Sequence, residues 1–144
     1  MVTAKKIFVI DPSEDYRSLV TEFLVAHNFF VMSADDPSGA AQDIWDLIPD
    51  LIIYSPALGK NPYPFLKAVR STLETSKIPF LLLPVLPITD PRIYELGAGL
   101  DTWMVHPIEP DKLLVAIDWL LYRSPHQVKK KAALLQDGYQ LKRN

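Results

Sequence analysis

Cysteine is absent from this chain. A disulfide framework, a thiolate metal site and a cysteine nucleophile are therefore all excluded, and a cytoplasmic location is the expected one. Long apolar runs are absent as well. No stretch reaches the about eighteen consecutive apolar residues of a membrane span. The opening MVTAKK leads straight into a short apolar segment. Neither a transmembrane helix nor a signal peptide is expected. Internal repeats and low-complexity segments are missing too. Of the 144 residues, 49% are hydrophobic and 22% charged, which excludes wholesale disorder and suits one compact domain.

Positive charge is scarce in most of the chain. Residues 1–122 hold 9 Lys/Arg against 16 Asp/Glu, whereas residues 123–144 hold 6 against 1. An acidic body repels a phosphate backbone, which argues against nucleic acid as a general partner. The basic C-terminal stretch is a separate unit with its own reading.

Five short apolar runs are present: Lys6–Ile10, Phe29–Met32, Leu51–Tyr54, Phe80–Leu83 and Thr102–Val105. Most are continuous rather than alternating, as in strands buried on both faces of a parallel sheet. Helical patterns lie between them. Ser13 is placed to cap a helix bearing Tyr16, Leu19, Val20, Phe23 and Leu24. Asp36-Pro37 has cap and first-turn chemistry, with Ala40, Ala41, Ile44, Trp45 and Leu47 following. A third helix is expected from near Pro64 through Phe65, Leu66, Val69 and Leu73. Asp90-Pro91 opens a short fourth with Ile93, Tyr94 and Leu96. Glu109-Pro110 opens a fifth with Leu113, Leu114, Ile117, Leu120 and Leu121.

The pattern predicts an α/β fold of five βα units, a five-stranded parallel sheet with helices on both faces. Its binding crevice lies beyond the C-terminal strand ends, so Asp11, Ser55, Pro84 and His106 are the informative positions. After Arg123-Ser124-Pro125-His126, residues Val128, Ala132, Leu135 and Tyr139 repeat with Lys129, Lys130 and Lys131 between them. This predicts an extra amphipathic C-terminal helix and divides the chain into 1–122 and a basic extension, 123–144.

Residues 5–122 resemble a response-regulator receiver domain of two-component signalling. The stretches that carry the resemblance are KKIFVIDPSEDYR, PDLIIYSPALG, IPFLLLP and LGAGLDTWMVHPIEPDKLL, in that order. The resemblance implies the flavodoxin-like receiver fold, and it implies a set of chemical roles. An acidic pair that holds Mg²⁺ falls on Asp11 and Pro12, so one carboxylate is missing. The phospho-acceptor aspartate falls on Ser55. The switch hydroxyl falls on Pro84. The lysine falls on His106, before a retained Pro107 whose bond is implied to be cis, and the aromatic switch position is Trp103. The loop after Ser55 is one residue short and lacks the usual glycine turn.

Each replacement removes a physical capacity. One carboxylate and a hydroxyl give Mg²⁺ too few hard, charged ligands, so no metal and no cofactor are expected. A serine without an adjacent base is a poor nucleophile. Proline offers neither hydroxyl nor N–H. The expected protein is a degenerate, pseudo-receiver signalling protein that acts by protein–protein contact without aspartyl phosphorylation, and it is not an enzyme. Its partners are proteins of a signalling pathway, a second copy of the chain among them. The resemblance places the interaction face on helix four, strand five and helix five, with Tyr94, Trp103 and Trp119.

Alternatives remain at this point. Asp11, Ser55 and His106 are a Ser/His/Asp set that a hydrolase or an atypical phospho-acceptor could use. Against it, Ser55 lacks a G-x-S-x-G elbow, and Pro56 cannot supply an oxyanion-hole N–H. The blander role for His106 is a hydrogen-bond partner of Asp11. Asp35-Asp36 is a candidate metal pair, outweighed by Asp36 as a helix cap. Asp11, Glu14 and Asp15 could attract a cation weakly. The lysine run could bind nucleic acid or anionic lipid, or lie solvated, or dock on the acidic body.

Overall fold

The computed structural model of the protein describes residues 3–86, 89–96, 100–103 and 109–122. Strands and helices alternate: β1 (Lys6–Ile10), α1 (Glu14–Ala26), β2 (Phe30–Ala34), α2 (Pro37–Leu47), β3 (Leu51–Tyr54), α3 (Tyr63–Arg70), β4 (Phe80–Leu82), α4 (Arg92–Glu95), β5 (Leu100–Trp103) and α5 (Pro110–Tyr122). The strands pair in parallel in the order β2-β1-β3-β4-β5. Of β5 only the backbone is described, running along the outer side of β4.

Period-two alternation in the continuous apolar strands sorts the core into two layers. Ile7, Val9, Leu51, Ile53, Leu81 and Leu83 face α1 and α5, where they meet Val20, Leu24, Leu113 and Ile117. Phe8, Ile10, Ile52, Tyr54, Phe80 and Leu82 face the other way, onto Ala40, Ile44, Leu66, Val69 and Ile93. Every residue of β3 is buried, as its central place in the sheet requires.

Boundaries differ from the sequence pattern at four elements; the smallest difference is at β4, which ends at Leu82 rather than Leu83. Strand β2 starts at Phe30 and runs to Ala34 rather than spanning Phe29–Met32. It is an edge strand, so Phe30 is 51% exposed and the apolar run does not mark its limits. Helix α3 ends at Arg70, and Leu73, expected on its apolar face, is 87% exposed. The cause is local: the Ser71 hydroxyl donates to the Lys67 carbonyl at 2.6 Å, and the Thr75 hydroxyl to the Val69 carbonyl at 2.5 Å. Such hydroxyls compete with helical backbone bonding. Strand β5 begins at Leu100, two residues before the apolar run read from the sequence. The extension 123–144 lies outside the described residues.

Candidate functional site

The register fixes what meets at the strand ends. Ile10 pairs with Tyr54, and Tyr54 with Leu82. Beyond that level the Ser55 N–H donates to the Ile10 carbonyl at 2.8 Å, and the Leu83 N–H to the Tyr54 carbonyl at 2.9 Å. Asp11, Ser55 and Pro84 therefore lie beyond the same end of three adjacent strands, where an open parallel sheet places its crevice.

Asp11 is 2% exposed. Its Oδ1 accepts from the Ser13 N–H at 2.8 Å, and its own N–H donates to the Ala34 carbonyl at 3.1 Å. The Arg17 guanidinium donates to the Asp11 carbonyl at 2.7 Å. Ser13 in turn caps α1, its hydroxyl accepting from the Tyr16 N–H at 3.2 Å. The carboxylate thus shapes the turn from β1 into α1. Pro12 beside it is exposed and brings no second carboxylate.

Ser55 is 3% exposed, and its hydroxyl has no hydrogen-bond partner among the described residues. Pro56 follows it, buried and without an N–H. The donor set does not fit Mg²⁺. One carboxylate is present, it already accepts a backbone N–H, and no cluster of three His, Asp or Glu side chains able to hold a metal occurs among the described residues.

The loop after β3 does contain a glycine turn, contrary to the sequence reading. Gly59 has a φ of 81°, and the Lys60 N–H closes the turn onto the Ala57 carbonyl at 2.9 Å. Only glycine takes that backbone conformation without strain. A cleft of about 340 Å³ lies between this loop, with Pro56, Leu58 and Lys60, and the loop after β4, with Pro84, Val85 and Leu86. Leu58, Val85 and Leu86 stand exposed around it. The Asn61 amide crosses from one loop to the other, its Nδ2 donating to Asp90 Oδ2 at 2.8 Å. Arg92 pairs with the same carboxylate at 2.6 Å. The Arg92 hydrogen bonds, then the one from Asn61, hold the Asp90 carboxyl well below the usual carboxylate range.

The remaining sequence candidates divide. Asp36 is a helix cap: its Oδ1 accepts from the Gly39 N–H at 2.9 Å and from the Ser38 hydroxyl at 2.7 Å. The Gly39 bond, then the Ser38 bond, lower its pKa. Trp119 is half-buried against the layer under α1 and α5. The backbones of Tyr94 and Trp103 belong to α4 and β5, and their side chains lie outside the description. His106 and Pro107 lie outside the described residues, as does the lysine run 129–131. The apolar cleft and the Asn61–Asp90 contact were not evident in the sequence, where Asp90-Pro91 signals only a helix start.

No protein-family model matches the chain. Protein PetR of Rhodobacter capsulatus is 30% identical over 123 residues, 85% of this chain and 51% of PetR. The phosphate regulon transcriptional regulatory protein PhoB of Escherichia coli is 26% identical over 129 residues, 88% of this chain and 56% of PhoB. The chain thus spans about half the length of these relatives. Among solved structures, the chemotaxis response regulator CheY4 of Vibrio cholerae superposes with a TM-score of 0.70 at 27% identity, covering 83% of this chain and all of that one. The beryllofluoride-activated receiver domain of Klebsiella pneumoniae RstA superposes at 0.68, with 22% identity, over 83% of this chain and all of that domain. The fold is thus receiver-like, and the chain's relatives in sequence and its neighbours in structure are response regulators.

Proposed function

We propose that the protein is a pseudo-receiver: a signalling adaptor that works by protein–protein contact and takes no phosphoryl group at its strand-end crevice. The observation that carries this reading is Ser55. It occupies the place the receiver resemblance gives to the phospho-acceptor, it is buried, and its hydroxyl has no partner among the described residues that could act as a base. The neighbouring Asp11 carboxylate supports the same reading, being engaged in the turn into α1. Nucleophilic attack by an unactivated hydroxyl, without a Mg²⁺ ligand set, is disfavoured on general grounds.

In this reading residues 1–122 form the receiver-like domain, a (βα)5 unit closed by α5. Residues 123–144 are a separate, basic extension. Docking uses the α4, β5 and α5 side of the domain, with Tyr94, Trp103 and Trp119, and the partners are other signalling proteins or a second copy of the chain. PhoB is named as a transcriptional regulator, but this chain spans only about half of PhoB. An acidic body suits contact with proteins better than contact with DNA.

Incubation with a small phospho-donor and Mg²⁺, followed by intact mass measurement, tests the proposal. The expected mass is that of the unmodified chain. A stable gain of one phosphoryl group on a residue of the crevice would refute it.

A further inference from the structure

We propose that Asn61, Tyr63, Asp90 and Arg92 form a latch that fastens the loop after β4 to the loop after β3 and holds the cleft between them at one width. The contacts close a ring. Asn61 Oδ1 accepts from the Tyr63 N–H at 3.0 Å, which leaves its Nδ2 to donate to Asp90 Oδ2 at 2.8 Å. Asp90 Oδ1 accepts from the Arg92 N–H and from Arg92 Nε, each at 3.0 Å, and Oδ2 accepts from Arg92 Nη2 at 2.6 Å. The Arg92 guanidinium then lies 4.0 Å from the centre of the Tyr63 ring, back on the first loop's helix.

Two features make this more than a local cap. The Asn61–Asp90 bond and the Arg92–Tyr63 contact both join segments some 29 residues apart. Prolines also bound both loops. Pro62 and Pro64 sit at the start of α3, Pro84 follows β4, and Pro91 precedes α4. Fixed φ angles at these prolines remove backbone freedom where the loops meet their strands and helices, so a small number of bonds can select one arrangement. An isolated exposed ion pair contributes little, but a two-pronged arginine–carboxylate contact within a hydrogen-bonded ring is the favourable case. With the latch closed, Leu58, Val85 and Leu86 keep a fixed, exposed arrangement around the cleft.

Hydrogen exchange of the full-length chain tests it. Asn61→Asp keeps an oxygen for the Tyr63 N–H, removes the donor to Asp90 and sets two carboxylates face to face. Amides of residues 57–61 and 89–93 are expected to exchange about two- to tenfold faster, together, while those of β1 and β3 stay as they were. Adding Asp90→Asn restores a donor–acceptor pair of reversed polarity between the loops but gives up the acceptor for Arg92 Nη2, so exchange in both loops is expected to return only part of the way to the original rate. Unchanged exchange in Asn61→Asp, acceleration of one loop alone, or no recovery in the double variant would overturn the latch. Exchange rates test the latch and phospho-donor mass tests the adaptor, so either can fail alone.

Discussion

Two aspartates at strand ends behave differently. Asp11, after β1, is buried and serves its own turn: its carboxylate binds the N–H two residues on. Asp90, on the loop after β4, reaches Asn61 across 29 residues and takes Arg92 as well. The first lies where the resemblance expects metal-binding chemistry and has become part of the scaffold. The second lies where the sequence signals only a helix start, yet it joins two loops. A carboxylate's position along the chain is therefore a poor guide to its use; its partners decide.

The largest perturbation removes the support that both loops share. Ile52 is fully buried in the central strand, so Ile52→Ala is expected to cost about 2–5 kcal/mol, measured by denaturant unfolding. A cost well below that range would mean that β3 does not organise the sheet. Next comes the buried aspartate. Asp11→Ala leaves the Ser13 N–H without its acceptor and is expected to cost about 1–3 kcal/mol in the same experiment. Asp90→Ala is expected to leave the unfolding midpoint almost unchanged and to loosen the two loops instead. Equal global costs for the two variants would erase the contrast.

The pH dependence sharpens it further. The Asp90 carboxyl is held below its ordinary value of 3.8 in the folded protein. Its contribution is therefore fully present above that value and is lost only as pH falls through the lower folded value. Arg92 side-chain NMR signals are expected to stay constant from neutral pH down to about the ordinary carboxylate value and to change only below it. A change near neutral pH would place another group in the latch. The smallest effect is alkaline. Burial, with the negative charge of Asp36 second, pushes Tyr54 from 10.0 up to about 12. Stability from its neutral form is fully present below 10.0 and is lost as pH rises towards about 12. Tyr54→Phe is expected to shift alkaline unfolding to slightly higher pH.

The fold was largely legible because continuous apolar strands are informative. Lys6–Ile10 and Leu51–Tyr54 coincide with β1 and β3 to the residue, and both lie inside the sheet. Legibility failed where burial is partial or side chains capture backbone, at Phe30 on the edge strand and at Ser71 and Thr75 beyond α3. Asp11, Ser55 and Pro84 were readable as strand-end residues, and the register puts them at the same end of three adjacent strands. The Gly59 turn was misread because its left-handed backbone depends on the loop's path, and residue types alone do not specify that path. The Asn61–Asp90 bond was invisible because only tertiary structure brings those two loops together.

The central claim is that the crevice has lost its phosphoryl chemistry, and amide NMR spectra of the unaltered chain test it most directly. With beryllofluoride and Mg²⁺ added together, the signals of Asp11, Ser55 and their neighbours are expected to stay where they are. A saturable shift of those signals that requires both additions would contradict the account.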